Sequence, residues 1–193
     1  MNLKLHLANL FFVALLFSGC TGVSKNDYIK WVINPTNNLR QIQQDTSGVI
    51  VNLQFQPSRY KVLQSNFEIK DPAFTKEIKE WSDVVSFLMK VSVPEDDKFN
   101  ALLKQKGMNL DHFLSFDFSK EIELKQGNTS LSAAFFHNEN RRTSNGEYVI
   151  NVVFKNDEIS FSNPFTFNIR SKILGRFSFD FDTKEEEKIT IRL

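Results

Sequence analysis

Residues Phe165–Phe181, FTFNIRSKILGRFSFDF, decide the fold class of this chain. Before Gly175, apolar side chains stand at alternate positions as Phe165, Phe167 and Ile169. After Gly175 the alternation resumes, with phenylalanine at positions 177, 179 and 181. A period of two is typical of a β-strand that has one buried and one solvated face. The stretch therefore predicts two strands of an antiparallel sheet, separated at Gly175.

The same alternation recurs along most of the chain outside this stretch. It is clear over Ser47–Gln56 and Tyr148–Phe154, and clustered valines favour a strand over Val84–Val93. The turn signal Gln126-Gly127-Asn128 predicts a hairpin. Further short strands are expected at residues 116–124, 131–135, 159–161 and 189–193.

Helical spacing is confined to the first half of the chain. Asn34-Pro35 should end a first helix, because a residue before proline disfavours the helical conformation. Leu39 and Ile42 are spaced as in a further helical turn. This first helix is expected at residues 27–33, and the others at 58–65, 71–81 and 98–105, with a capped turn from Asn109. We predict a mainly β fold, an antiparallel β-sandwich-like domain with short N-terminal helices; the alternative is an α+β fold with one large antiparallel sheet.

The aromatic composition supports a packed β core. The chain has 20 phenylalanines but only 3 tyrosines and 2 tryptophans. Phenylalanine lacks a polar group, so it suits a core better than an exposed binding platform, where tryptophan and tyrosine are favoured.

The N-terminus carries a targeting signal. The apolar run Leu7–Phe17 is too short to span a bilayer, which needs roughly 20 residues, but it fits a secretory signal. The run ends in Ser18-Gly19-Cys20, and Cys20 is the single cysteine of the chain. This segment resembles the lipobox of bacterial lipoproteins, although Phe17 stands where leucine is usual. The resemblance covers residues 1–20 and not the domain that follows.

The resemblance implies cleavage between Gly19 and Cys20 and attachment of fatty-acyl chains of the palmitate type to Cys20. The expected organisation is a signal peptide at 1–19, the lipidated cysteine and a short tether at 20–26, and a single β-rich domain at 27–193. Several acyl chains give stable membrane anchoring. In lipoproteins of the common Gram-negative type, a residue such as Thr21 after the cysteine favours the outer membrane, so we expect an envelope protein anchored there.

Charge excludes one class of partner. The chain has 24 Lys and Arg against 23 Asp and Glu, and residues 1–19 hold one lysine and no acidic residue, so the mature protein is formally neutral. Nucleic-acid binding requires a basic stripe, which is missing from this sequence. We expect no nucleic-acid partner, and membrane attachment through lipid rather than through a polybasic segment.

The sequence contains no catalytic, metal-binding or cofactor motif that we recognise. The mature chain has two histidines, His112 and His137, too few for an ordinary zinc site without cysteine. Asp111, His112 and Asp117 lie close together and could orient a base toward Ser115 or Ser119, but a solvated histidine near a helix end is the simpler interpretation. We therefore expect no enzyme, no metal and no cofactor.

One polar run suggests a binding loop. The loop is expected from Asn138 to Glu147. The candidate binding residues are His137, directly before it, and Glu139, Arg141 and Arg142 within it. If the preceding strand continues, His137 and Glu139 share a face, and the two arginines could hold a carboxylate or a sugar acid. A solvated hairpin loop is the simpler alternative.

Three functions stay open from the sequence. The first is a non-catalytic, lipid-anchored accessory protein that binds another envelope protein. The second is a lipoprotein that binds a glycan or small ligand. The third is an unrecognised hydrolase that uses His112 or His137.

Overall fold

The computed structural model describes residues 22–65, 72–95, 97–156, 159–160 and 163–192. Within these residues, nine strands form two antiparallel sheets. This confirms the predicted mainly β, sandwich-like fold. The alternative α+β fold would have had one large sheet, whereas the described strands form two. The strands are β1 Arg40–Gln44, β2 Ile50–Gln56, β3 Val84–Ser92, β4 Ile122–Gln126, β5 Thr129–Ser132, β6 Phe135–Arg142, β7 Tyr148–Lys155, β8 Phe165–Ser171 and β9 Gly175–Phe181.

The strand order differs from the chain order. One sheet runs β1-β2-β3-β7-β6 and the other β5-β4-β8-β9. The predicted turn at Gln126–Asn128 joins β4 to β5, and Gly175, where the alternation was expected to be interrupted, is the first residue of β9. Gly175 has a φ of +100°, and a side chain there would collide with the Asp45 carboxylate, so only glycine suits this turn.

Phenylalanine fills the core between the sheets. Phe87 of β3 packs beside Phe154 of β7, with ring centroids 6.0 Å apart. Across the sandwich it contacts Phe167 of β8 and Phe181 of β9, at 4.9 and 5.4 Å. The edge-to-face arrangement of the Phe87 and Phe167 rings is favourable beyond the area that it buries.

Glutamine side chains close one side of the sandwich. Gln41 Nε2 of β1 donates to the Asp180 carbonyl at 2.5 Å, and Gln43 Nε2 donates to the Ser178 carbonyl at 2.6 Å. These carbonyls belong to β9, the last strand of the opposite sheet. The amide side chains therefore satisfy backbone groups that the end strand would otherwise expose.

The helices fall near their predicted positions. The first begins at Lys25, two residues before the predicted start, and ends at the Asn34-Pro35 signal. Asn109 caps its turn as predicted, since its side chain accepts from the His112 N–H at 2.7 Å. Asp71, the first residue of the helix predicted at 71–81, lies outside the described residues. The helices are α1 Lys25–Ile33, α2 Ser58–Gln64, α3 Pro72–Ser82, α4 Asp97–Gln105, α5 Leu110–His112 and α6 Lys184–Glu187.

A buried polar cluster joins three helices. Glu186 of α6 accepts from the Tyr28 hydroxyl of α1 at 2.5 Å and from Arg59 Nη2 of α2 at 2.7 Å. Arg59 Nη1 also donates to the Ile189 carbonyl at 2.6 Å. The cluster thereby fixes the C-terminal part of the chain to the N-terminal helices.

The predicted strand start at Phe116 is wrong. Residues 113–117 form a π-helical turn, residues 118–121 form a 3₁₀ turn, and β4 begins at Ile122. Phe118 is buried between Phe113 and Phe136, at centroid distances of 5.6 and 5.9 Å, whereas Phe116 is 66% exposed. In so short an apolar run, spacing alone does not separate a strand from a tight helix.

Three other local predictions differ from the structure. Ile42 lies in strand β1 and Leu39 directly before it, rather than in a helical turn, because β1 pairs with β2 along its whole length. Ile159 is buried but lies outside any strand, and Phe161, its expected strand partner, lies outside the described residues. A single parallel pair, Val23 with Ile191, replaces the strand expected at the C-terminus.

Candidate functional site

The run that predicted a binding loop forms a strand. β6 extends from Phe135 to Arg142 and pairs with β7, with a register shift between Asn138 and Arg142. Only residues 143–147 form the turn into β7. The predicted binding residues therefore follow one another along a strand instead of being grouped on one loop.

The outer face of β6 carries an aromatic pair. Phe135 is 55% exposed, and its ring centroid lies 6.2 Å from that of His137, which is also exposed. Glu139 accepts a hydrogen bond from Asn151 Nδ2 at 3.1 Å. His137 and Glu139 do share a face, as expected for a continued strand, but the carboxylate is held by β7. Arg141 belongs to β6, and its side chain lies outside the described part.

The outer edge of β6 is open. β6 is the last strand of its sheet, and none of the strands in the described ranges pairs with its second side. The inner face is filled, because Asn138 is buried and donates to Ser115 Oγ at 3.3 Å. An exposed edge strand offers backbone donors and acceptors to another chain.

Arg142 lines a cavity at the far end of β6. The cavity has a volume of about 960 Å³, at the upper end of the range of roughly 300–1,000 Å³ for ligand sites. Its lining combines apolar side chains with two cations, Lys104 and Arg142, and two carboxylates, Glu95 and Asp111. The residues that give the cavity its character are Phe99, Leu103, Lys104, Asp111, Arg142 and Tyr148.

Arg142 is held in place by Tyr148. Its guanidinium carbon lies 4.6 Å from the Tyr148 ring centroid, and its Nη2 donates to the tyrosine hydroxyl. Burial raises the pKa of Tyr148, and the nearby Asp111 carboxylate raises it further. The Arg142 guanidinium lowers this pKa and offsets part of the increase. A neutral tyrosine between a cation and a carboxylate orients both groups, so the arrangement suits binding of a polar ligand.

The histidine that the sequence placed beside two aspartates is exposed. His112 Nδ1 and Asp117 Oδ2 are 3.9 Å apart, which is too long for a hydrogen bond. Asp117 instead accepts from Lys120 at 2.9 Å, and the His112 ring lies tilted against Phe116, with centroids 4.9 Å apart. Among the described residues, no three His, Cys, Asp or Glu side chains come together to hold a metal ion.

The predicted lipidation and cleavage residues, Cys20 and Gly19, lie outside the described residues. The described chain begins at Gly22, and Lys25 already starts α1. Within the part that the structure describes, no helix is both long and apolar enough to cross a bilayer.

Sequence reasoning missed most of the cavity. Tyr148 was predicted only as a strand residue, and Lys104 as part of a helix, because nothing local links positions so distant in the chain. No family model matches the chain, and no curated protein or solved structure is detectably similar to it.

Proposed function

We propose that this protein is a non-catalytic, lipid-anchored protein of the bacterial envelope that binds another envelope protein. The lipobox-like segment ending at Cys20 supports the anchor, and Thr21 favours the outer membrane. The open edge of β6 carries the proposal of a protein partner.

Strand β6 combines two features that favour strand addition. No strand of the described chain adds to its outer edge, and Phe135 beside that edge is more than half exposed. An extended peptide can add to such an edge through main-chain hydrogen bonds, with side chains beside it giving specificity. The β9 edge, in contrast, is covered by Gln41 and Gln43. The proposed partner therefore supplies an extended segment with an apolar side chain that packs on Phe135 and His137.

Photocrosslinking in the native envelope tests this proposal. A photoreactive amino acid replaces Phe135 in one version of the full-length protein and Ile42 in another. Ile42 is the matched control, because it is 57% exposed and lies on β1, the opposite end strand of the same sheet. We expect a discrete protein adduct from position 135 that is absent from position 42. Equal adducts at both positions, or none at 135, would refute β6 as the interface.

The cavity supports a second candidate function, the binding of a small acidic ligand such as a sugar acid. Arg142 carries this candidate, since it is oriented by Tyr148 at the cavity wall. Titration calorimetry with glucuronate, and with glucose as the neutral comparison, tests it. We expect binding of glucuronate alone, lost in Arg142→Ala and kept in Lys106→Ala, an exposed residue outside the cavity lining. Unchanged binding in Arg142→Ala would exclude Arg142 as the ligand-binding group.

A further inference from the structure

We propose that the lipid anchor holds the domain end-on against the membrane. In this orientation, α6 and the chain around Gly22 rest at the lipid headgroups, and the cavity beside Arg142 faces away from the bilayer. This inference rests on the proposed lipidation of Cys20. It goes further by identifying the surface of the domain that contacts the lipid headgroups.

The N-terminal segment is fixed to the C-terminal segment. The Val23 N–H donates to the Thr190 carbonyl at 2.8 Å, and the Arg192 N–H donates to the Val23 carbonyl at 2.8 Å. The Gly22 carbonyl also accepts from Arg192 Nε. A Cβ on Gly22 would lie 2.8 Å from Arg192 Cγ and 2.9 Å from the Thr190 oxygen, so the two segments approach as closely as glycine allows.

This close pairing makes the connection to the anchor short. Thr21 is the single residue between Cys20 and Gly22. Two Cα–Cα steps of about 3.8 Å each cannot place Cys20 more than roughly 7.6 Å from Gly22. A lipidated Cys20 therefore brings the surface around Gly22 to the headgroups and leaves the domain little freedom to turn.

The anchored segment lies where β2 ends and β3 begins. The Ile189 carbonyl, one residue before Thr190, accepts from Arg59, and Arg59 follows the end of β2 by three residues. A cavity of about 140 Å³ is lined jointly by Gln56, Val84 and Glu186. These contacts place the end of β2, the start of β3 and α6 at one end of the sandwich.

The large cavity lies at the other end of the same strands. Ser92, the last residue of β3, lines it, and so does Tyr148, the first residue of β7. From Val84 to Ser92 the strand rises about 26 Å, at roughly 3.3 Å per residue. An end-on domain therefore presents the cavity to the aqueous compartment, and β6 stands upright with its edge accessible.

Fluorescence quenching in vesicles tests the orientation. The full-length, acylated protein carries Lys188→Cys or Asn145→Cys, each labelled with bimane; Lys188 lies beside the anchored segment, and Asn145 lines the distal cavity. The vesicles contain phosphatidylethanolamine, phosphatidylglycerol and a lipid with a nitroxide headgroup. We expect several-fold stronger quenching at position 188 than at 145, and loss of this difference after insertion of ten Gly and Ser residues between Thr21 and Gly22.

Three outcomes would overturn the inference, and intact mass separates them. A protein without acyl chains on Cys20 refutes the anchor and the orientation together. An acylated protein with equal quenching at both positions refutes only the orientation. A difference that survives the insertion refutes the role of the short connection.

Discussion

Glu186 shows how one residue can hold distant parts of this chain together. Its side chain is 8% exposed and accepts from both Tyr28 and Arg59, which lie more than a hundred residues away in sequence. A buried carboxylate is costly unless it is paired and hydrogen-bonded, and here two donors satisfy it. Removal of the carboxylate would leave a buried hydroxyl and a partly buried guanidinium without their acceptor.

Glu186→Ala should therefore destabilise the protein by about 2–4 kcal/mol, the range expected when one partner of a largely buried pair is removed. Urea unfolding of the full-length protein measures the change. Glu185→Ala is the matched control, because Glu185 is exposed and pairs with Lys188 at the surface; its effect should stay below about 1 kcal/mol. Equal effects of the two substitutions would contradict a structural role for Glu186.

Tyr28 should make stability depend on alkaline pH. Burial raises its pKa above the usual value, and the Glu186 carboxylate adds to this effect. The folded state therefore holds the phenolic proton more tightly than the unfolded state. Its contribution to stability is full below a pH of about 10, the pKa of unfolded tyrosine, and falls as the pH rises further.

Urea midpoints at pH 9 and pH 11 test this dependence. The midpoint of the unsubstituted protein should fall more between the two values than the midpoint of Tyr28→Phe, which has no proton to lose at this position. The same loss in both proteins would show that other groups cause the alkaline instability.

At the scale of elements, β1 owes its conformation to distant contacts. Leu39 and Ile42 predicted a helical turn, because local spacing was the only signal available. The structure forms a strand there, since the backbone pairs with β2 and the Gln41 and Gln43 side chains reach β9. Neither partner could be identified from residues 36–46 alone.

Replacement of both glutamines tests the closure of the sandwich. Gln41→Ala with Gln43→Ala should cost about 1–3 kcal/mol, since two hydrogen bonds to carbonyls of the end strand β9 disappear. Amide exchange at Ser178 should accelerate, because Gln43 Oε1 accepts from that N–H at 3.4 Å. Gln44→Ala, an exposed position of the same strand, is the control and should leave the exchange unchanged.

Strand β6 illustrates a second limit of local reasoning. Its polar residues indicated a loop, yet β6 pairs with the alternating strand β7 and extends the sheet. The register shift between Asn138 and Arg142 then sends Arg142 to the Tyr148 side, while His137 remains beside Phe135. The polar run predicted a binding loop, and alternation could not reveal a register shift that redistributes its side chains along a strand.

For the whole molecule, alternation predicted the strands better than their arrangement. Phe165–Phe181 forms the expected pair β8 and β9. The division into two sheets depends instead on where the chain crosses over: β5 ends at Ser132 in one sheet, and β6 begins at Phe135 in the other. Leu131 and Phe135 lie an even number of positions apart, as apolar positions of one continuous strand would. The apolar pattern therefore gives no sign that the chain crosses to the other sheet between them.

Phe87 should couple the two sheets energetically, because its ring touches phenylalanines on both. Phe87→Ala should cost about 3–5 kcal/mol, the usual range for truncation of a buried phenylalanine. Thermal unfolding measures this as a drop of roughly 6–20 °C for a domain of this size. Phe116→Ala removes an exposed ring and should change stability by about 0.5 kcal/mol or less. A small effect at Phe87 would show that the sheets are held together elsewhere.

The intact mass of the full-length gene product, extracted from its own membranes, tests the central claim of a lipid-anchored envelope protein most directly. We predict a chain that begins at Cys20 and carries a diacylglyceryl group and an additional acyl chain, and we predict that Cys20→Ala abolishes this species. A membrane-extracted chain that begins at any other residue, or an unmodified Cys20, would contradict the anchor.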